Sequence, residues 1–252
     1  MPRIIMLYAI LSYCLFLGIA VWMAMFLQDV ADLRSSGPES PWPMAVAIDI
    51  ALITIFGLAH SIMARPAFKQ VWTRIIPPAS ERATYVLQSS ALLALIFVCW
   101  RPIPVTIWDI NGVLAAVMLA VFSLGLGLIV LATFLLGHFE FTGLRQAWNG
   151  LSRTTESGSK FRTPLLYRIV RHPLQLGLIL SFFAVPHMTA DGLLFATVML
   201  VYILIGLRFE ERALLREFGP DYAAYRRAVP MLVPRLPFLP KRRPAPGEIT
   251  SR

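Results

Sequence analysis

Long apolar runs separated by short polar connections dominate the pattern of this chain. Four of them, roughly Ile4–Leu27, Met44–Met63, Val86–Trp100 and Gly112–Leu136, carry almost no charge. Membrane-crossing helices need about 20 such residues, each rising about 1.5 Å. The third run is short, and Arg101, Pro102 and Pro104 blur its end. A further apolar stretch, Leu174–Leu207, breaks once at Val185-Pro-His-Met-Thr-Ala-Asp-Gly192 and predicts a hairpin of two helices that each cross most of a bilayer. Arg208–Phe218 continues the second of these with one apolar face, until Gly219-Pro220 stops it. A short helix follows over Asp221–Arg227, and Val229–Pro237 reads as an extended apolar tail.

Composition agrees with that pattern. Hydrophobic residues make up 57% of the chain and charged ones 15%, with a mean hydropathy of +0.67, which excludes a soluble domain. The expectation is an all-α, polytopic integral membrane protein with four transmembrane helices, a C-terminal membrane helical hairpin and cytoplasmic C-terminal helices. A single domain is expected over 1–252, with transmembrane helices to 136 and a cofactor-binding half from 137. The first run begins with Arg3 as a signal peptide would. It outruns the usual apolar core and lacks a small-residue cleavage site, so it reads as a retained helix.

Charge orients the chain. Of 23 Lys and Arg residues, only Arg34 and Arg101 fall in the first and third connections. The positive-inside rule therefore places both termini, Arg65–Arg82 and Arg145–Arg171 in the cytoplasm. The localisation expected is a bacterial inner membrane with the active site on the cytoplasmic side. Anionic lipid accounts for the net charge of +9, including a Lys241-Arg-Arg243 anchor, so nucleic acid is not an expected partner. The connection Gln28–Pro43 reads as a short exposed outer loop, and Gly150–Thr163 as a polar lid or slack. Cys14 and Cys99 lie in apolar runs without ligand spacing and read as packing residues; no metal is expected.

The hairpin brings together two charged clusters, Tyr167-Arg-Ile-Val-Arg-His-Pro173 and Phe209-Glu-Glu-Arg-Ala-Leu214. Charge beside a membrane is costly, which suggests a site. The plain alternative is that Arg171 and His172 are interfacial anchors and the two glutamates a solvated helix end. A donor of the S-adenosylmethionine type has a carboxylate, an ammonium, ribose hydroxyls and a flat base. A helix starting at Pro173 offers free N–H groups and a positive dipole end to the carboxylate. Glu210 and Glu211 can accept from the ammonium or ribose, and Tyr167 can face the base.

The spaced pattern Tyr167-x3-Arg-His-Pro173-x3-Gly177, followed by Glu210-Glu211-x2-Leu214-x3-Phe218-Gly219-x2-Tyr222-x2-Tyr225-x3-Val229-Pro230, resembles the isoprenylcysteine carboxyl methyltransferase superfamily. Upstream, Gly57-Leu-Ala-His-Ser-Ile-Met-Ala-Arg-Pro66, Glu81-Arg-Ala-Thr-Tyr85 and His138-Phe-Glu-Phe-Thr-Gly-Leu-Arg-Gln-Ala-Trp148 are similar to the bacterial methanethiol S-methyltransferases. Together these motifs run from about Gly57 to Pro237. The resemblance implies S-adenosylmethionine as cofactor, methylation of a small thiol to a thioether, and a lipid environment. It implies cofactor contacts at Phe161, Arg162, Tyr167, His172, Pro173, Leu174, Gln175 and Glu210, with Arg171 and Glu211 beside them. The chain departs from the pattern at Gln175, where a Tyr is common, and at Gly137, where the thiol enzymes have Asn. It also has Gly206 where prenyl-substrate enzymes place an arginine, which favours a neutral or thiol acceptor over a carboxylate.

A thiol reacts as its anion and needs a base or cation nearby. His138 is the expected base, oriented by Glu140 or Gln146, with His60 and Arg65 at the same level of the membrane. The alternative for His138 is an interfacial cap. Gly125-Leu-Gly127 reads as close helix packing, and His187, on the outer turn, needs no role. Two rival functions remain: another methyltransferase of the superfamily, acting on isoprenyl-cysteine or a lipid amine, and a non-catalytic membrane protein associated with denitrification.

Overall fold

The computed structural model describes residues 2–152 and 163–234, so Phe161, Arg162, most of the Gly150–Thr163 connection and the Lys241-Arg-Arg243 tail lie outside the described residues. Helices α1 (Pro2–Leu27), α2 (Trp42–Met63) and α3 (Pro66–Trp72) come first. A 3-10 turn, Pro78–Ser80, leads into α4 (Glu81–Cys99), so the Arg65–Tyr85 connection holds helical structure rather than plain loop. Strand β1 (Thr106–Asp109) precedes α5 (Gly112–Leu136), α6 (His138–Phe141) and α7 (Leu144–Ser152). The chain closes with α8 (Pro173–Phe183), β2 (His187–Thr189) and α9 (Ala190–Ala228).

Among the described residues, five helices are long and apolar enough to cross a membrane: α1, α2, α4, α5 and α9. Large side chains such as Leu7, Val21, Leu58 and Val113 stand exposed along them. Lipid suits such a belt and water does not, so this is an all-α integral membrane protein.

The expected hairpin is corrected in its first limb. Helix α8 has 11 residues, about 16 Å of rise, roughly half the hydrocarbon thickness. Beyond Phe183 the chain turns extended and pairs with β1 in an antiparallel ladder, Trp108 opposite Met188 and Asp109 opposite His187. Ile110 N–H donates to Pro186 O at 3.0 Å and Ala190 N–H to Val105 O at 2.8 Å. Trp108 Nε1 donates to Val185 O at 2.8 Å. These bonds satisfy backbone groups that the missing half-helix would have paired internally.

The outer connection is not a simple exposed loop either. Arg34 is only 2% exposed and its Nε lies 3.1 Å from Asp191 Oδ2. It also donates to Leu27 O at 3.0 Å and to Thr189 Oγ1 at 3.1 Å. Trp100 Nε1 donates to the same Asp191 carboxylate at 3.1 Å. Arg34 therefore ties α1 to the start of α9. Both cysteines are free; Cys14 lies exposed on α1 rather than in the packing.

Packing is tightest between α5 and α8. A Cβ on Gly125 would lie 2.7 Å from Gly177 O, and one on Gly177 would lie 2.5 Å from Gly125 O. Small residues at this crossing let the two backbones touch. Gly177→Val is expected to cost at least about 2 kcal/mol through overpacking, read as a lowered thermal midpoint in detergent.

An apolar core joins Phe26, Ile53, Phe97, Trp100, Phe182 and Phe195 between α1, α2, α4, α8 and α9. The core-facing stripe of α9 runs Phe195, Met199, Ile203 and Leu207, spaced as one helix face requires. The next buried position is Glu211, and its neighbour Glu210 is exposed.

Candidate active site

The geometry at the end of α9 follows from its period. Successive helix residues point about 100° apart, so the neighbours Glu210 and Glu211 serve different surroundings. Glu211 turns sideways toward the start of α8. Its carboxylate accepts from Arg171 Nε at 2.7 Å and NH2 at 3.1 Å. It also accepts from Tyr222 OH at 2.8 Å and lies 2.9 Å from His172 Nε2. Four charge-assisted contacts on one partly buried carboxylate make a closed network. The third nitrogen of Arg171 donates to Val229 O at 2.6 Å and Arg226 O at 2.9 Å.

The extended tail is held at the same place. Arg171 N–H donates to Pro230 O at 2.9 Å and His172 N–H to Met231 O at 3.2 Å. The tail reaches this position because Gly219 adopts φ 52° and bends α9 ahead of Pro220, a backbone state that favours glycine. Tyr225 OH donates to Tyr167 O at 2.6 Å, fixing the turn that carries Tyr167.

The Glu210 side chain, by contrast, is 46% exposed. Among the described residues it makes no hydrogen bond, and His172 Nδ1 lies 3.8 Å away. This leaves the Glu210 carboxylate open to solvent at this end of the bundle. The Tyr167 phenol is pushed well above its ordinary range, first by burial and then by the charge of Glu210, so it is a hydrogen-bond donor at any physiological pH.

Helix α8 starts with Pro173 at its first position. Leu176 N–H already bonds His172 O at 3.0 Å, which leaves Leu174 and Gln175 as N–H groups with no intrahelical partner. These donors, the dipole end, Glu210 and Tyr167 lie at one end of the bundle, where Glu210 is open to solvent. The chemistry of the set fits a zwitterionic ligand: donors for a carboxylate, an acceptor for an ammonium or hydroxyls. Arg171 and Glu211 saturate each other, so they frame this end of the bundle rather than offer it free groups.

His138 has other partners than those expected. Thr133 Oγ1 spends its proton on Val130 O at 2.7 Å. It must therefore accept from His138 Nδ1–H at 3.0 Å, which leaves Nε2 to accept from Tyr13 OH at 2.9 Å. The ring stacks on Phe134 and meets Tyr13 and Phe139 edge-on. Glu140 instead pairs with Arg145 at 3.3 Å on the surface, and Gln146 Oε1 accepts from Arg82 N–H at 2.9 Å. Neither orients His138, which fastens α1 to the end of α5.

Burial holds the His138 pKa below its ordinary value. The folded state therefore binds fewer protons there than the unfolded one, and stability from this group is full above about pH 6.5. It is lost as pH falls from there through the lower, folded value. Melting midpoints between pH 7 and 5 are expected to fall less steeply in His138→Gln than in the wild-type chain.

His60 and Arg65, expected at the level of the site, belong to a second cluster where the end of α2 meets the start of α4; its hydrogen-bond partners were not expected. His60 lies 2.7 Å from Tyr85 OH and 3.0 Å from Ser89 Oγ. Tyr202 OH is 3.3 Å from Ser61 Oγ, and Arg65 lies over the Phe209 ring at 5.4 Å. The signal was available, because His60 continues the buried stripe Asp49, Ile53, Phe56 of α2. At the opposite end of the molecule, a cavity of about 430 Å³ lined by Asp29, Asp32, Thr189 and Asp191 has no part in either cluster. His187 there pairs with Asp109 at 3.3 Å.

Comparison with known proteins gives concordant results. A family model described as NnrU protein matches residues 49–233. The chain is 47% identical to methanethiol S-methyltransferase 2 of Bradyrhizobium diazoefficiens, over 92% of this chain and 90% of that one. It is 44% identical to methanethiol S-methyltransferase of Pseudomonas deceptionensis, over 92% and 89%. Against the methanethiol S-methyltransferase of Mycobacterium tuberculosis it is 44% identical, over 90% and 95%. No solved structure matches the chain.

Proposed function

The chain belongs to the family described as NnrU protein and to that of the methanethiol S-methyltransferases, and on that footing we propose that it methylates methanethiol to dimethyl sulfide with S-adenosylmethionine as donor. The observation that carries this reading is Glu210, a half-exposed carboxylate that makes no hydrogen bond among the described residues and lies 3.8 Å from His172 at the start of α8. A protein with no ligand at this end has no use for such a charge next to lipid.

Leu174 and Gln175 N–H, at the positive end of α8, receive the donor carboxylate, and His172 and Pro173 shape that turn. Glu210 takes the ammonium or the ribose hydroxyls. Tyr167 supplies a ring face to the base, or its hydroxyl, and Phe161 and Arg162 are assigned to the same ligand. When bound, S-adenosylmethionine supplies an electrophilic methyl group on a cationic sulfur. The bundle's own contribution is a site that excludes water, in which attraction between a thiolate and that cation is stronger than in solution. Apolar walls suit a volatile acceptor and product. Gly206 leaves no cation for an acceptor carboxylate, which favours the thiol over an isoprenyl-cysteine. The site end faces the cytoplasm of a bacterial inner membrane, and the chain acts as one methyltransferase domain.

The test is to give purified protein donor labelled in its methyl group, with methanethiol and bacterial lipid together. Label is expected in a volatile thioether. Label in the lipid fraction alone would replace methanethiol by a lipid amine, and label in neither would defeat the enzyme reading.

A further inference from the structure

The cluster formed by His60, Tyr85 and Ser89 has a determined proton order. Ser89 Oγ has one proton, and it donates it to Tyr85 O at 2.8 Å. Toward His60 Nδ1, 3.0 Å away, Ser89 can therefore only accept. His60 thus carries its proton on Nδ1, and its bare Nε2 accepts from Tyr85 OH at 2.7 Å. Tyr85 has then spent its own proton while its oxygen lone pairs stay available. The chain of bonds runs from Tyr85 through His60 and Ser89 to a backbone carbonyl.

The placement of this chain of bonds is informative. Tyr202, Gly206 and Glu210 follow each other at four-residue intervals along α9, so they share a face. Tyr202 lies flat against Gly57, whose added Cβ would stand 3.0 Å from the ring, and its hydroxyl reaches Ser61. That contact sets α2 beside α9 with His60 about five residues outward of Glu210, roughly 7 Å along the axis. Between the two lies Gly206, where an added Cβ would meet nothing within 4 Å. Along α9 this open position lies one turn from Tyr202 on one side and one turn from Glu210 on the other. The second Tyr–His pair, Tyr13 with His138, has no such outlook, since Phe134 and Phe139 beside it face outward, exposed.

Resting on the reading proposed above, we propose that the gap over Gly206 receives the thiol acceptor and that Tyr85, backed by His60 and Ser89, takes its proton. The S–H bond breaks and its proton passes to Tyr85 Oη as the Tyr85 proton moves to His60 Nε2. Tyr85 ends neutral, His60 becomes an imidazolium held by Ser89, and the electron pair of the S–H bond stays on sulfur as thiolate. Arg82, 5.3 Å over the Tyr85 ring, stabilises developing negative charge on oxygen and sulfur and opposes a lasting imidazolium. The relay therefore accepts the proton only while charge builds on sulfur, the behaviour of a general base. The other charges nearby are Glu81 on the first turn of α4, engaged by Lys69 at 3.4 Å, and Arg65, which lies over the Phe209 ring. Tyr85 is the residue that touches substrate; His60 and Ser89 are positioning residues.

The experiment compares acceptors of different acidity in wild type, Tyr85→Phe, His60→Gln and Ser89→Ala, with donor affinity measured by calorimetry on each. An unsubstituted alkyl thiol, less acidic than the cysteine thiol at about 8.5, needs the base; an aryl thiol ionised at neutral pH does not. Tyr85→Phe and His60→Gln are expected to lose about 100-fold with methanethiol, and less than about threefold with the aryl thiol, at unchanged donor affinity. In the donor-free protein, nitrogen-15 spectra of His60 are expected to show a protonated Nδ1 and a bare Nε2, the latter shifted in Tyr85→Phe. Equal losses on both thiols, or full activity on methanethiol in both variants, would overturn the proposal while the methyltransferase reading stood. No thioether from any thiol in the wild-type protein would overturn both.

Discussion

Glu211→Ala is expected to lower stability by about 3–5 kcal/mol, the cost of removing one partner from a buried charge network. Arg171, His172 and Tyr222 all converge on this carboxylate, with the shortest contact at 2.7 Å. Without it the Arg171 guanidinium stays only 9% exposed with two backbone carbonyls as its remaining partners. The loss propagates, because Arg171 also pins Val229 and its backbone pins Pro230. Thermal unfolding in detergent checks the size. Glu211→Gln, which keeps acceptor capacity but removes the charge, is expected to fall between wild type and alanine.

Its neighbour behaves in the opposite way. Glu210→Gln is expected to leave the melting midpoint nearly unchanged, because Glu210 makes no hydrogen bond among the described residues. It is expected to weaken donor binding by about 10- to 100-fold, the scale of a hydrogen bond to a charged group at about 1.5–3 kcal/mol. Methyl transfer falls with it at sub-saturating donor. The two adjacent glutamates thus separate cleanly: stability is carried by Glu211 and binding by Glu210. Calorimetry with the donor, run beside the melts, reads both quantities on the same preparations. A Glu210 variant that unfolds, or one that binds donor as the wild type does, would contradict the assignment.

The sequence showed the membrane spans because hydropathy over twenty residues is a strong signal, and α5 begins and ends where expected. The half-length of α8 follows from the break at Val185-Pro-His, which leaves a short apolar run from Leu174 for the first limb; what stayed concealed is that the break itself pairs as β2. Hydropathy does not register a change from helix to strand. Strand β1 stayed hidden between Pro104 and α5 because four residues carry too little periodicity. Arg34 looked like a loop cation, and only the fold brings it to Asp191.

At the site, the meeting of the Arg-His-Pro turn with the glutamate pair was legible from the hairpin. The division of labour between the glutamates was less legible, although the four-residue steps Met199, Ile203, Leu207 lead to Glu211 as the buried one. The partners of His138 were beyond reach, since Tyr13 comes from the first helix. Glu140 and Gln146 are near it in sequence and turn elsewhere.

The most direct test of the account is dimethyl sulfide in the headspace over purified protein given S-adenosylmethionine and methanethiol, with Glu210→Gln run in parallel. The account predicts product from the wild-type chain in step with consumption of the donor, and a large loss in the variant that excess donor partly restores. Product formed equally by both proteins would contradict the placement of the donor at Glu210. Absence of product from a wild-type chain that remains folded would contradict the methyltransferase itself.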